Sequence, residues 1–161
     1  MKNLFKISIL AGLFIAFAVS VKAQTKYKCM VQMNAYNGEE AYIVVSLIGP
    51  KGDYQKTLYM MGKEKKWYNT LKEWFKSTAK KGNKIDGKTG ASVAGGDRAM
   101  AVLEIDDKLL DKNYKLRFES AVEDQKYVVD DVEVPLTASS LADKTEGKGY
   151  IKYVRFSKVQ L

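Results

Sequence analysis

The sequence predicts a mainly β protein, an immunoglobulin-like antiparallel β-sandwich with one short inserted helix. Three observations predict this fold class. Seven apolar or alternating segments of strand length are separated by frequent turn residues. A single segment near the middle of the chain changes to helical spacing. Residues 24–161 are numerous enough for one domain with its own core, and we interpret them as a single β-sandwich domain.

The predicted strands have two kinds of pattern. Apolar and polar residues alternate between residues 27 and 35, which is typical of a half-buried strand. Residues 42–48 form a more continuous apolar run, and the turn at 49–53 predicts a hairpin with residues 54–61. Four further strands are predicted, at residues 98–105, 114–121, 127–136 and 150–161. Residues 139–149 are predicted as a polar loop.

Helical spacing predicts one amphipathic helix over roughly residues 70–80. The predicted buried face consists of Leu71, Trp74 and Phe75. Thr70 and Glu73 fit a capping box at the start of this helix. Gly82 stands where the helix would end.

Residues 1–23 have the composition of a secretory signal peptide. Lys2 and Lys6 precede an apolar run at residues 7–19, and Ala23 is the small residue before the predicted cleavage point. The apolar run is short for a membrane span. We therefore predict cleavage after Ala23 and a protein that is periplasmic or otherwise exported.

Composition excludes several classes of function. Beyond residue 23, 24 cationic side chains stand against 19 acidic ones, an excess too small and too dispersed to indicate nucleic-acid binding. The chain has no histidine, which excludes Ser-His-Asp and Cys-His catalysis and histidine-bearing zinc sites. Cys29 is the only cysteine and lies in the alternating segment, which predicts a buried free thiol. A redox role would therefore require an added cofactor.

The segment Asp86-Gly87-Lys88-Thr89-Gly90-Ala91-Ser92 is the most specific motif in the chain. It resembles the acceptor motif of periplasmic flavin transferases, in which Asp is followed by two free positions, Ser or Thr, Gly, Ala, and Ser or Thr. A chance match to all five fixed positions occurs on the order of once in a thousand chains of this length. The resemblance implies that FMN is attached to Ser92 through a phosphoester bond. It also implies four recognition residues, namely Asp86, Thr89, Gly90 and Ala91.

The surroundings of this motif predict accessibility. Five glycines occur within residues 82–97, which are predicted as a structureless loop that a second enzyme could enter. Gly87 and Lys88 depart from the small or apolar residues that are usual at the free positions, and Ser92 stands where Thr is commoner. The alternative interpretation is an ordinary glycine-rich connection between helix and strand.

Other residue groups are weaker candidates. Trp67 could stack on a flavin ring, whereas helical spacing favours a core position for Trp74. A solvated basic face is the favoured interpretation of six lysines, Lys63, Lys65, Lys66, Lys80, Lys81 and Lys84. Turn and surface positions are predicted for three acidic pairs, Asp106-Asp107, Glu123-Asp124 and Asp130-Asp131. No catalytic residue and no metal ligand is predicted.

The chain also resembles a family of predicted periplasmic proteins defined only as a domain of unknown function. The resemblance rests on five segments: Lys56-Thr57-Leu58-Tyr59, Lys66-Trp67-Tyr68, Leu71-Lys72-Glu73-Trp74, Asp86 to Ser92 and Gly96-Asp97-Arg98. Members of that family resemble an immunoglobulin-like domain of the flagellar hook-capping protein. They are often encoded beside flavin transferases and membrane proteins with PepSY-type domains.

Two functions follow from these resemblances and remain open. The first is an extracytosolic electron carrier with covalent FMN, which would not be an enzyme in the strict sense. A periplasmic flavin transferase and a membrane redox protein with a PepSY-type domain would be its partners. The second is a non-redox periplasmic binding or assembly module built on the same sandwich.

Overall fold

The computed structural model describes residues 23–82 and 84–160. Nine strands form the two sheets of this described part: β1 Gln24–Met33, β2 Tyr42–Ile48, β3 Tyr54–Met61, β4 Lys88–Gly90, β5 Arg98–Asp106, β6 Lys115–Ala121, β7 Tyr127–Pro135, β8 Lys144–Glu146 and β9 Ile151–Lys158. The helical elements are α1 Lys72–Thr78, α2 Ala138–Ala142 and three 3-10 turns at Lys65–Thr70, Ala79–Lys81 and Asp107–Leu109. The signal peptide predicted at residues 1–23 lies, except for its last residue, outside the described residues, and its cleavage stays a prediction.

The two sheets confirm the predicted, mainly antiparallel β-sandwich. The four-stranded sheet has the order β5-β1-β9-β8, and the five-stranded sheet has the order β4-β3-β2-β6-β7. The predicted hairpin joins β2 to β3. One pair departs from the prediction, because β4 runs parallel to β3. The specific likeness to immunoglobulin domains stays a prediction.

The main core lies between the two sheets and follows from strand alternation. Strand β1 directs Cys29, Val31 and Met33 inward, whereas Lys28 is exposed. The buried thiol of Cys29 confirms the prediction for this residue. Phe118 on the other sheet is the largest fully buried side chain of this core.

A second, smaller core lies on the opposite face of the five-stranded sheet, where α1 packs. Its buried members are Val44, Met60, Tyr68, Leu71, Trp74 and Ala121. This packing explains the continuous apolar run of β2. Ile43 and Val45 face the main core, while Val44 faces the helix, so that both faces of the strand are covered.

Helix α1 is shorter than the helix predicted over residues 70–80, because 3-10 turns replace its ends. Leu71 and Trp74 are fully buried as predicted, and Phe75 is half-buried. Gly82 ends the helical segment in a left-handed conformation with φ of 66°. The predicted stop at this glycine is therefore confirmed.

The predicted capping box of α1 is wrong. Leu71 occupies the N-cap position and makes no side-chain capping bond. The Thr70 hydroxyl donates instead to the carbonyl of Trp67, at 2.6 Å. The free amide of Trp74 donates to Oε2 of Glu119 on strand β6, at 3.0 Å. The buried side chain of Glu119 on the sheet thus caps the start of α1, where a local side chain was expected to do so.

Two segments predicted as loops contain regular structure. Strand β4 lies within residues 82–97, and Val93 forms an isolated bridge with Ala41. Residues 139–149 contain most of α2 and all of β8. Both strands are three residues long, too short for an alternating pattern to be recognised. Within the described residues, no helix is long and apolar enough to cross a membrane.

Candidate functional site

The segment from Asp86 to Ser92 is fastened to the five-stranded sheet. Oδ1 of Asp86 accepts a hydrogen bond from the backbone amide of Thr57 on β3, at 2.9 Å. Strand β4 then pairs with the end of β3, and the amide of Gly62 donates to the carbonyl of Gly90 at 2.9 Å. The prediction of a structureless loop is therefore wrong for the first half of the motif.

Two glycines of the motif allow this close approach. A Cβ atom on Gly87 would lie 2.6 Å from the carbonyl oxygen of Leu58. A Cβ atom on Gly90 would lie 2.7 Å from the hydroxyl of Tyr59. Gly87 is thus required by backbone packing against β3, which explains a residue that the motif alone leaves free.

Ser92 follows the paired segment and is half-buried. Its hydroxyl donates a short hydrogen bond to Oε2 of Glu40. The neighbouring bridge holds the two segments together, since the amides of Ala41 and Val93 donate to each other's carbonyls at 2.8 and 3.1 Å. The Tyr36 hydroxyl adds a bond to the Val93 carbonyl at 2.9 Å. The predicted acceptor hydroxyl therefore lies on a fixed backbone beside a carboxylate.

A cleft of about 260 Å³ opens on one side of Ser92. Its lining includes the ring of Trp67 together with four glutamates, and we call it the Trp67 cleft. The lining residues are Glu39, Glu40, Tyr42, Glu64, Trp67, Thr70, Ser92, Ala121 and Glu123. Trp67 was a weak candidate on sequence alone, and the structure brings it into the same cleft as Ser92.

A second cleft of about 270 Å³ opens on the other side of Ser92, and we call it the Met100 cleft. Ser92 and Glu40 line both clefts. The remaining lining residues are Tyr59, Met61, Gly90, Ala91, Val93, Ala94, Asp97, Arg98, Ala99 and Met100. Met100 is 47% exposed, the largest exposure of a bulky apolar side chain among the described residues. Ser92 thus lies on the ridge between the two clefts.

The charge of the Trp67 cleft is negative. Lys66 partly offsets its four glutamates through an ion pair with Glu64, in which Nζ and Oε2 are 2.9 Å apart. The hydrogen bond to Glu64 raises the pKa of Lys66. Lys66 Nζ also lies 5.1 Å from the ring centroid of Trp67, a cation–π contact that helps to fix the indole.

A family model described as "Predicted periplasmic protein (DUF2271)" matches residues 24–153. The chain belongs to this family. The match covers most of the chain, and its description agrees with the predicted periplasmic location. Neither the curated proteins nor the solved structures contain a match to the chain.

The remaining motif residues lie in different settings. Thr89 is exposed on β4, and Ala91 is exposed on the turn that follows it. Asp86 is directed to the β3 backbone instead of to the clefts. Among the described residues, no group of three or more acidic, cysteine or histidine side chains is arranged to hold a metal ion.

Trp74 and the lysines that flank the helix were also candidates on sequence alone, and the structure shows where they lie. The Trp74 indole is buried and donates from Nε1 to the Thr57 hydroxyl at 2.8 Å, which confirms its core position. Five of the six flanking lysines are exposed, namely Lys63, Lys65, Lys66, Lys80 and Lys84, and the side chain of Lys81 lies outside the described part.

The surface position predicted for Asp131 is wrong. Asp131 is fully buried and accepts hydrogen bonds from the amides of Lys148, Gly149 and Ile151, at 3.0, 2.7 and 3.0 Å. The Ser120 hydroxyl donates to the same carboxylate. Asp131 therefore anchors the turn between β8 and β9. Its partners come from distant segments, so that the sequence contains no local sign of this role.

Glu40 is the residue of the site that the sequence did not reveal. It lies 52 positions before Ser92, in a polar segment without a recognisable motif. Its place beside the Ser92 hydroxyl depends on the bridge between Ala41 and Val93. A pattern confined to the neighbourhood of the heptad could not have found it.

Proposed function

We propose that this protein is a periplasmic electron carrier that holds FMN covalently at Ser92. The position of the Ser92 hydroxyl carries the proposal, because this hydroxyl lies on the ridge between two clefts. Pockets for small cofactors combine a shaped surface with a few oriented polar groups. The segment at residues 86–92 resembles a flavin-acceptor motif, and this resemblance also supports Ser92 as the attachment site.

Accessibility also supports Ser92 as an acceptor. The residue is preceded by the small, exposed Ala91 and lies beyond the end of β4, where the backbone leaves the sheet. A transferase could close around this turn without unfolding the sandwich. Because Asp86 is bonded to Thr57 within β3 and Gly90 to Gly62 just after it, the turn would be presented in one conformation.

The expected attachment is a phosphoryl transfer. Ser92 Oγ attacks the phosphorus atom on the FMN side of the FAD pyrophosphate, and the bond between this phosphorus and the bridging oxygen breaks. AMP leaves with that oxygen and its electron pair, and the proton of Ser92 passes to a base. The transferase would supply the metal ion and the principal base. Glu40 would orient the hydroxyl through the hydrogen bond that it already accepts.

The rest of the chain offers little redox chemistry of its own. Burial raises the pKa of the Cys29 thiol, and the side chain is 0% exposed. FMN would supply the electron-accepting ring, while the protein would determine its surroundings. Electrons would pass between a membrane redox protein with a PepSY-type domain and an acceptor outside the cytoplasm. In this role the protein is a carrier and not an enzyme.

Co-expression with the flavin transferase of the same genome, followed by intact-mass measurement, tests this function. The expected mass increase is that of FMN less one water, with flavin fluorescence that survives denaturation. Ser92→Ala should abolish both signals and Ser92→Thr should retain them. Ser77→Ala, which removes an exposed hydroxyl on α1, is the matched control and should retain them. An unmodified wild-type chain would overturn the proposal and favour a non-redox binding module.

A further inference from the structure

We propose that the flavin ring attached at Ser92 lies in the Trp67 cleft, against the indole. The glutamates of this cleft would hold the reduction potential of the ring below that of free FMN. This inference rests on the proposed function and adds the binding site of the ring and the control of its potential.

The short tether limits where the ring can lie. In FMN a five-carbon ribityl chain separates the phosphate from the isoalloxazine ring. A ring attached at Ser92 can therefore reach only surfaces close to that residue. The two clefts that Ser92 lines are such surfaces, and they have similar volumes of about 260 and 270 Å³.

The pairing of the Ser92 segment places its side chain beside one wall of the Trp67 cleft. Ala41 and Val93 face each other in an antiparallel bridge, and both are buried. Side chains alternate between the two faces of such a pair, so that Ser92 and Tyr42 project together to the opposite face. Tyr42 belongs to the Trp67 cleft and not to the Met100 cleft.

The Trp67 cleft also offers the better stacking surface. Trp67 is half-buried, and its indole presents the largest π surface of any residue that lines either cleft. The cation–π contact with Lys66 restrains the indole before a flavin arrives. Stacking of a planar ring on this restrained indole would cost little side-chain entropy.

The charge of the cleft has a direct consequence for reduction. Glu39, Glu40, Glu64 and Glu123 line it, and Lys66 offsets one of them. The oxidised isoalloxazine ring is uncharged, whereas reduction adds electrons and negative charge. Nearby carboxylates disfavour that added charge, so that the ring is harder to reduce.

The same charge should prevent free FMN from binding in the cleft. Free FMN carries an ionised phosphate, which the glutamates of the cleft would repel. A ring tethered at Ser92 needs no attraction for its phosphate. We therefore expect the unmodified protein to bind no free FMN, even though the loaded protein holds the ring in the cleft.

Flavin emission of the loaded protein tests the position of the ring. Stacking on indole quenches this emission, so that Trp67→Leu should raise it severalfold at an unchanged loaded mass. Met100→Ala, in the other cleft, is the matched control and should leave the emission unchanged. Equal emission of the wild type and Trp67→Leu would overturn the inference while leaving attachment at Ser92 intact. A wild-type chain that gains no mass would overturn the proposed function and the inference together.

The midpoint potential tests the effect of charge. Loaded Glu39→Gln/Glu123→Gln should show a positive shift relative to the loaded wild type. Loaded Glu146→Gln removes an exposed glutamate of β8, in the other sheet, and should show no shift. The charge argument fails if the double variant and this control have the same midpoint potential. It also fails if the wild-type potential equals that of free FMN.

Discussion

Oδ1 of Asp86 accepts a hydrogen bond from the backbone amide of Thr57, at 2.9 Å. Thr57 is 1% exposed, and its hydroxyl accepts the indole hydrogen bond of Trp74 at 2.8 Å. The first residue of the predicted acceptor motif is therefore connected through one threonine to the core of α1. Asp86 has a structural role in addition to the recognition role implied by the motif.

Substitution of Asp86 should separate these two roles. Asp86→Ala leaves the buried amide of Thr57 without its partner, and we expect a loss of about 1–3 kcal/mol in the free energy of unfolding. Asp86→Asn keeps an oxygen acceptor and should remain close to the wild type in a urea melt. If the transferase recognises the negative charge, Asp86→Asn should nevertheless lose flavin attachment. Equal stability of the alanine and asparagine variants would contradict the structural role.

Glu40→Gln should slow flavin attachment without unfolding the protein. Glutamine can still contact the Ser92 hydroxyl but is a weaker acceptor, so that the hydroxyl is less well oriented and less able to release its proton. We expect a decrease of about tenfold or more in the rate of mass gain at a fixed transferase concentration. Glu39→Gln, at the adjacent exposed glutamate, is the control. Equal rates in both variants would exclude a role for Glu40 in attachment.

Alanine substitution should distinguish the two motif glycines. A methyl group at Gly87 meets the carbonyl of Leu58, and the backbone cannot withdraw without separating β4 from β3. We expect Gly87→Ala to cost about 1–3 kcal/mol. Gly90→Ala meets the end of the Tyr59 side chain, which can rotate away, and should cost less. Denaturant melts of the two variants measure the difference, and the reverse order would contradict it.

Trp74→Ala should be strongly destabilising. The indole is 0% exposed in the second core, and its removal leaves a cavity and takes away one of the two hydrogen bonds of the Thr57 hydroxyl, the other being with the Tyr54 hydroxyl. The expected cost is about 3–5 kcal/mol in a denaturant melt. Trp67→Ala is the natural comparison, since Trp67 is only half-buried and lines a cleft. A smaller loss of unfolding free energy in Trp74→Ala than in Trp67→Ala would contradict the core position of Trp74 and the cleft position of Trp67.

The stability of the protein should depend on Glu119 through its pKa. Burial raises the pKa of this carboxyl above its ordinary value of 4.5, although hydrogen bonds from Tyr127 and Trp74 oppose the shift. The folded protein therefore holds this proton more tightly than the unfolded chain does. The free energy of unfolding should fall as the pH rises from the ordinary glutamate pKa through the raised one.

Glu119→Gln removes this ionisation and should remove its share of the pH dependence. Urea melts from about pH 5 to about pH 8 should show the wild type losing stability relative to Glu119→Gln. Glu146→Gln, an exposed glutamate of β8, should change little over the same range. A constant difference between the wild type and Glu119→Gln across this range would contradict the assignment.

The sandwich could be predicted because strand burial is a local property of the sequence. The alternation of β1 and the apolar run of β2 follow directly from which faces are covered. The parallel pairing of β4 could not be predicted, since its three residues bond through backbone atoms and follow no apolar pattern. The capping of α1 was misassigned for a related reason, because Glu119 is brought to it only by the folded sheet.

The residues of the candidate site also fall into two groups, those that a local pattern predicts and those that only the fold brings together. Ser92 was predicted from a contiguous motif, whereas Glu40 and Tyr42 reach it across a bridge that no local pattern encodes. Trp67 could be named as a stacking residue, but its sequence position did not place it beside Ser92. The sequence motif could therefore not predict residues that meet only through long-range pairing, and the folded structure was needed to identify them.

Cys29 lies at the centre of its sheet, paired with Ala101 on one side and Phe156 on the other. Its cover is therefore complete only when the last strand, Ile151–Lys158, has docked. A newly exported chain would pass through an oxidising compartment with this thiol open to disulfide exchange with other chains. We therefore expect the yield of protein with an intact thiol to depend on how fast β9 docks relative to disulfide exchange. A chain stopped before β9 would accumulate as a mixed disulfide or a covalent dimer.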